Sequence, residues 1–486
     1  MSTITSWFAR SRTDLAIMDS RGRPLAFFVG NIGSFRLQRY LLKYCLHQGR
    51  KVVVLFNGPE NPVFQEIKSE AACLNIECIA TEQFSGSWKN LKSFRTTGVP
   101  LITRLLSAFP FNRWVNGRWP QVGLSLDSFM LLDSVSPCAL VVSEDGVSTS
   151  QFVLNAAKRM GIPVVDVPYG NATRQDFDID IERKVSEGNC ITTEGVKGWL
   201  LSKFAPQWLK TGKHAGQLMF PQSYILKQEL LGISIRDPWI VHGGASDRLC
   251  AENSLALQQY LEEGIPREKI SLTGSPYSDC MLEGLAEDSQ ASSAFLKSRY
   301  IVSGRPRVLV SWPPSYHSIF PGRNEFSTYE EMTVDILDFV STLRDCDLTV
   351  SVHPAADAKV HELLNGIGIS TSADDVIRLL PCNDIFITYF SSSIRWALGA
   401  GKVVLNYDAY RIGLDNYSSA PGFWTTAESA QLKTRLAELV ANEAEFARLA
   451  GAQAADAPNW GFLDGKCNER ILAEIDQLME KHIGGH

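Results

Sequence analysis

The chain has 486 residues, 45% hydrophobic and 21% charged, which supports large buried cores and suggests two or three domains. Lys and Arg (47) fall below Asp and Glu (53), for a net charge of −6, which argues against a protein that holds nucleic acid by neutralising phosphates. The ten cysteines form no CxxC pair and read as reduced thiols of a cytoplasmic protein; Met1–Ser20 lacks the features of a signal peptide, and no segment has the ~20 apolar residues of a membrane span.

In chain order, Leu25–Val29 reads as a strand ending at Gly30. Phe35–Gln48 follows with helical spacing (Leu37, Tyr40, Leu41, Tyr44, Cys45). Lys51–Phe56 is a strand and Pro62–Leu74 a helix. Val99–Trp119 is apolar and aromatic, dotted with Arg104, Arg113 and Arg118. It reads first as a packed helix plus loop, and its composition also suits peripheral contact with a membrane surface. Ala139–Val142 is a strand, Ser148–Met160 a helix, Pro163–Val167 a strand. Trp239–His242 reads as a strand and Ser246–Glu263 as a helix, closed by Gly264 with Pro266 beyond it. Lys269–Thr273 is the next strand.

A polar, small-residue stretch then marks a lobe boundary. A second series follows: strand Arg307–Trp312, helix Thr328–Leu343 with Ser327 and Glu330 spaced as a capping box, and strand Leu348–Val352. Strand Asp384–Thr388 leads through Ser391–Ser393 into a helix ending at Leu398, and Val403–Asn406 is another strand. Glu428–Val440 and Asn468–Lys481 are amphipathic helices. Apolar runs without alternation indicate strands covered on both faces, and strands alternating with helices indicate βαβ units. The expected fold class is therefore α/β, two doubly wound lobes: an N-terminal domain over 1–275, a linker over 276–304, a C-terminal domain over 305–465, and a helix over 466–486 returning to the first domain. Ligands of such sheets bind beyond the carboxyl ends of the strands.

Three strand ends carry candidate chemistry. Val141-Val142 runs into Ser143-Glu144-Asp145-Gly146. A carboxylate held there suits a general base, while Asp-Gly is also an ordinary turn signal. Ser351-Val352 runs into His353-Pro354, where an imidazole suits hydrogen bonding to a phosphate or protonation of a phosphate leaving group. The third is Thr388-Tyr389-Phe390-Ser391-Ser392-Ser393 before a helix; hydroxyls and free amides at a helix start form an anion site, though one serine suffices for a plain cap. Trp312-Pro313 closes the neighbouring strand and belongs to the same phosphate-binding set. Gly30-Asn31-Ile32-Gly33 suits close approach of a donor or acceptor but lacks the third glycine of a dinucleotide fingerprint. His242-Gly243-Gly244 reads as structural, and His214 and His317 have no evident partner. No HExxH or grouped His/Cys pattern suggests a metal.

Ser246–Pro276, with Glu263-Gly264-Ile265-Pro266 and Lys269-Ile270-Ser271-Leu272-Thr273-Gly274-Ser275-Pro276, resembles the end of the N-terminal lobe in GT-B glycosyltransferases and UDP-N-acetylglucosamine 2-epimerases. Asp384–Tyr410 resembles the second lobe of that superfamily, including the CDP-glycerol glycerophosphotransferases. That branch carries Asp-Tyr-Ser-Ser where this chain has Tyr389-Phe390-Ser391-Ser392, without the acid. The order acid-acid-Gly, His-Pro, Ser-Ser is similar to bacterial GT-B sialyltransferases and polysialyltransferases. This resemblance implies two Rossmann-like domains facing across a cleft and a CMP-activated donor of the nonulosonic or Kdo type. It implies inverting, metal-independent transfer to a glycan or glycolipid acceptor in surface polysaccharide synthesis. It assigns Glu144 or Asp145 as base, with the first position favoured. It sets His353 and Pro354 at the leaving CMP phosphate, which Ser391, Ser392 and Ser393 hold, with Gly30, Asn31, Gly33 and Gly146 in ligand-facing loops. It implies no cofactor, no metal and no nucleic acid, and a cytoplasmic protein in peripheral contact with the inner membrane. A UDP- or GDP-sugar transferase or a nucleotide-sugar 2-epimerase is the alternative, and a non-catalytic glycan-binding or assembly module the second.

Overall fold

A computed structural model describes residues 22–84, 120–147, 150–170, 174–233, 235–286, 305–353, 356–372, 374–413 and 416–484. The chain divides into two compact units. The first comprises Met1–Ala251, Ala256–Thr273 and Asn468–His486, the second Glu252–Leu255 and Gly274–Cys467.

The first unit is built on a seven-stranded sheet. Its strands are β1 (Leu25–Val29), β2 (Val52–Phe56), β3 (Glu77–Ala80), β4 (Ala139–Val142), β5 (Val164–Asp166), β6 (Arg248–Ala251) and β7 (Ile270–Leu272). Their order is β3-β2-β1-β4-β5-β6-β7, all parallel. β1 and β4 are buried at every position, as strands covered on both faces must be. Helices Pro120–Val135 and Gln151–Arg159 pack Phe129, Leu132, Phe152 and Ala156 onto Ala26, Leu140 and Val142.

The second unit has six strands: β8 (Arg307–Trp312), β9 (Asp347–Val352), β10 (Thr371–Ser372), β11 (Ile385–Thr388), β12 (Val403–Tyr407) and β13 (Phe423–Thr426). They run in the order β10-β9-β8-β11-β12-β13, again all parallel. Both sheets thus follow the 3-2-1-4-5-6 winding of a doubly wound fold. The winding reverses between β1 and β4 in one sheet, and between β8 and β11 in the other. Those two gaps are the switch points beyond which ligands of such folds bind.

Several expectations are corrected. Trp239–His242 is no strand; the strand lies at Arg248–Ala251, and the helix expected from Ser246 starts at Ser254. The run is apolar because Trp239 and Ile240 are buried, and the Val241 carbonyl accepts the Asp145 and Gly146 amides instead of pairing in a ladder. The capping box of helix Tyr329–Thr342 uses Thr328 and Glu331, one residue beyond Ser327 and Glu330; both pairs have the required spacing, and the fold selects the second. Residues 276–286 of the expected linker are a helix of the second unit, and 287–304 lie outside the described residues, as do Val99–Trp119 and Pro354. Helix Cys467–Gly484 is tied to the first unit by Arg50–Asp476 at 2.6 Å and Arg248–Glu474 at 2.9 Å. Among the described residues, no helix is long and apolar enough to cross a membrane.

Candidate functional site

At the first switch point, the chain leaves β1 at Gly30-Asn31 beside the turn that leaves β4 at Ser143-Glu144-Asp145-Gly146. Gln38, wholly buried, holds the two ends together: its Nε2 donates to Ser143 Oγ (2.8 Å) and the Phe28 carbonyl (3.4 Å). Asn31 caps helix Ile32–His47, its Oδ1 accepting the Ser34 amide at 2.8 Å, and its Nδ2 reaches Tyr169 Oη at 3.4 Å. A Cβ at Gly33 would come within 3.3 Å of the Tyr169 ring, so this glycine seats Tyr169. Nothing lies within 4 Å of a Cβ at Gly30.

The two acids of the turn have different surroundings. Asp145 is 1% exposed, and its carboxylate accepts the amides of Gly244 (3.1 Å), Ala245 (2.8 Å) and Ser246 (2.6 Å). It anchors the loop before β6, and its carboxylate oxygens are committed to those three amides. Gly146 is equally structural: a Cβ there would meet the Ile240 carbonyl oxygen at 2.6 Å. Glu144 is half-buried and is the more accessible acid of the turn. Burial, assisted by the Glu144 charge, raises the Tyr169 phenol above its usual range.

Beneath this turn lies a pair that neither residue announces in the sequence. His242 Nδ1 sits 3.0 Å from Asp166 Oδ2, the two being 2% and 0% exposed. Burial pushes Asp166 up to about 7, against the opposing pull of His242. Burial pulls His242 down, but the Asp166 carboxylate, with Asp145 and Glu144 behind it, leaves it raised overall. Both members of the pair are thus held above their ordinary values, and they titrate as one coupled unit.

At the second switch point, His353 follows β9 and Ser391–Ser393 follow β11, on either side of β8. Two strand spacings separate them, about 10 Å. The His353 amide donates to the Trp312 carbonyl at 2.9 Å, and its side chain is exposed. Ser391 Oγ accepts both the Ser393 amide (3.2 Å) and the Ser393 hydroxyl (2.8 Å). Phe390 holds a left-handed φ of 55°, and its amide donates to Asn406 Oδ1 at 2.8 Å. This turn leaves Ser391 half-buried and Ser392 exposed at the end of the sheet, while Ser393 is 2% exposed; its backbone strain costs about 1–3 kcal/mol. The helix they open, Ser393–Gly399, has seven residues, so hydroxyls rather than a long helix dipole carry the anion-binding character expected here.

Trp312 and Pro313 take a different part from the phosphate contact expected of them. Trp312 is 0% exposed and packs edge-on to Tyr389 with ring centroids 4.7 Å apart. Pro313 is buried and its carbonyl accepts the Tyr329 hydroxyl. Both build the floor under the switch point. His317 has a partner after all: its Nδ1 lies 3.0 Å from Tyr410 Oη, which also accepts the Tyr316 amide at 3.2 Å. These contacts join the loops after β8 and β12 in a half-buried aromatic cluster.

Among the described residues, one group of potential metal ligands, Asp279, Asp464 and Cys467, comes within 4.8 Å. Asp279 there accepts the Cys467 amide at 3.1 Å and Cys467 Sγ donates to the Phe462 carbonyl at 3.4 Å, so the group closes a helix start.

No protein-family model and no curated protein matches the sequence. Solved structures do match in fold. The S. aureus MnaA–UDP co-structure superposes with a TM-score of 0.51 at 15% identity, over 93% of this chain and 96% of that one. A Listeria monocytogenes protein described as a UDP-N-acetylglucosamine 2-epimerase superposes with a TM-score of 0.50 at 14% identity, over 93% and 95%. At this identity the likeness establishes architecture: two Rossmann-like, doubly wound domains of the GT-B type.

Proposed function

We propose that the protein is a nucleotide-sugar-dependent glycosyltransferase whose second unit holds the donor and whose first unit supplies the base. One observation carries this reading: the acid turn Glu144-Asp145-Gly146 leaves one switch point, while His353 and Ser391–Ser393 flank the other. The order of these motifs supports the finer reading of a CMP-linked donor of the nonulosonic or Kdo type and a glycan or glycolipid acceptor. The acceptor hydroxyl attacks the anomeric carbon and Glu144 takes its proton. The bond from that carbon to the phosphate oxygen breaks, and the nucleotide leaves with the electron pair. The His353 imidazole and the Ser391 hydroxyl stabilise the phosphate charge. No metal is called on.

Thermal unfolding in the presence of CMP, UDP and GDP tests the donor. A nucleotide at 100 times its Kd stabilises by about 2.7 kcal/mol. CMP should raise the midpoint and His353→Ala should reduce that rise. A rise with UDP or GDP alone removes the CMP assignment, and no rise with any of them removes the transferase reading.

A further inference from the structure

The first unit contains a cavity of about 220 Å³ that the mechanism above does not use. It is smaller than the roughly 300–1,000 Å³ typical of drug-sized ligands, which suits a single ring. Its wall begins on the residues that follow the acid turn: Val147, Ser150 and Gln151 line it, and Gln151 Nε2 donates to the Asp145 and Gly146 carbonyls, the former at 3.0 Å. None of the described side chains lining it is charged. One side is apolar and aromatic: Phe220 and Tyr224 have ring centroids 5.3 Å apart, and Trp208 meets Phe220 edge-on at 6.2 Å. The lining also includes Asn57, just beyond the carboxyl end of β2, and Ser150.

Gln228, 2% exposed, also lines the cavity. Its Nε2 donates to Tyr224 Oη at 2.9 Å, and its Oε1 accepts from no donor among the described residues. A buried acceptor left unpaired costs about 1–3 kcal/mol and marks a place where a donor belongs. The lining therefore asks for a neutral ring with an apolar face and hydroxyl donors. A phosphate or carboxylate would find no cation among the described side chains, and a hydrocarbon would leave Gln228 unpaired.

We propose that this cavity is a saccharide subsite, taking one neutral pyranose with its C–H face on Phe220 and Tyr224 and a hydroxyl donating to Gln228 Oε1. Resting on the transferase reading, it is the subsite that holds the acceptor's ring next to the Glu144 turn.

The test is direct binding to the full chain without donor. Saturation-transfer NMR with methyl β-galactopyranoside, methyl α-glucopyranoside and methyl N-acetyl-β-glucosaminide, with indole as apolar probe, is run on the wild type, Gln228→Met and Ser150→Phe. Ser150 makes no side-chain cap bond, so the phenyl group fills the cavity without removing one, and unfolding midpoints confirm that each variant is folded. The expected result is transfer to at least one glycoside in the wild type, a Kd weakened at least fivefold in Gln228→Met, and loss in Ser150→Phe. Absence of glycoside binding in the wild type, equal binding in all three proteins, or binding of indole alone overturns the proposal. Glycoside binding does not depend on a nucleotide, so a protein that binds the glycosides but no nucleotide keeps the subsite and loses the transferase reading.

Discussion

The turn after β4 places two carboxylates side by side in sequence and gives them opposite work. Asp145 fastens three amides of the loop before β6, while Glu144 is half-buried. Charge-assisted bonds to a carboxylate are worth more than neutral ones, and Asn at position 145 would set an N–H against amide donors. Asp145→Asn should therefore lower stability by about 2–4 kcal/mol, read as a fall in the urea midpoint. Glu144→Gln should leave that midpoint unchanged while slowing transfer roughly 10²–10⁴-fold. A slow and destabilised Glu144→Gln would show that this acid, too, holds the fold. The pair below adds a pH signature. An unfolded Asp titrates near about 3.9 and an unfolded His near about 6.5, and in the fold both Asp166 and His242 are raised. The folded state thus binds more protons than the unfolded state, so this contribution is greatest in acid. It declines as pH rises through about 7 for Asp166, and further as His242 releases its proton. The unfolding midpoint should fall between pH 5 and 8, and Asp166→Asn should flatten that slope. An unchanged slope in Asp166→Asn would assign the dependence elsewhere.

Elements were legible in the sequence where a single physical cause dominates. β1 and β4 are uninterrupted apolar runs and β8 has an apolar centre, Val308–Val310, and the sequence-derived bounds of all three coincide with the observed ones. β10, with two residues, and β3, half-exposed at the sheet edge, carry too little apolar signal to be read. Trp239–His242 shows the opposite failure: burial under a loop gives the same apolar run as a strand. The motifs at the strand ends were legible because the winding rule directs attention there. Asp166–His242 was not, because a contact across 76 residues exists only once β5 and the loop before β6 are in register. The turn after β11 is the element on which the donor reading rests, and it hangs on Asn406. Asn406 Oδ1 holds the Phe390 amide and its Nδ2 donates to Thr425 Oγ1 at 3.0 Å, tying the turn to β12 and β13. Asn406→Ala should cost about 1–3 kcal/mol and, by loosening the serine turn, weaken nucleotide binding in the thermal-shift assay beyond what the stability loss explains. Nucleotide affinity untouched by Asn406→Ala would mean that the Ser391–Ser393 turn does not hold the phosphate.

At the scale of the whole molecule, the first unit is not a continuous stretch of chain. It is closed by the C-terminal segment, which returns after the entire second unit has been traversed. Helix Cys467–Gly484 buries Ile471 and Ile475 completely and Leu478 and Met479 nearly so. Each such side chain is worth roughly 1.5–3 kcal/mol when fully buried, so the helix contributes an amount comparable to the 5–15 kcal/mol stability of an ordinary domain. Two ion pairs add direction to that burial. Arg50 is 8% exposed where it meets Asp476, and Arg248 meets Glu474 on the same helix. A chain ending at Cys467 should therefore lose cooperative unfolding of the first unit, while the second keeps its own transition. Arg50→Ala in the full chain should cost about 2 kcal/mol, because it strands Asp476 beside a buried surface. A synthetic peptide spanning 468–484, added to the shortened chain, should restore the missing urea transition with saturable, concentration-dependent recovery. If the shortened chain unfolds with both transitions intact, the C-terminal helix is an appendage, and the first unit draws its stability from residues 22–273 alone.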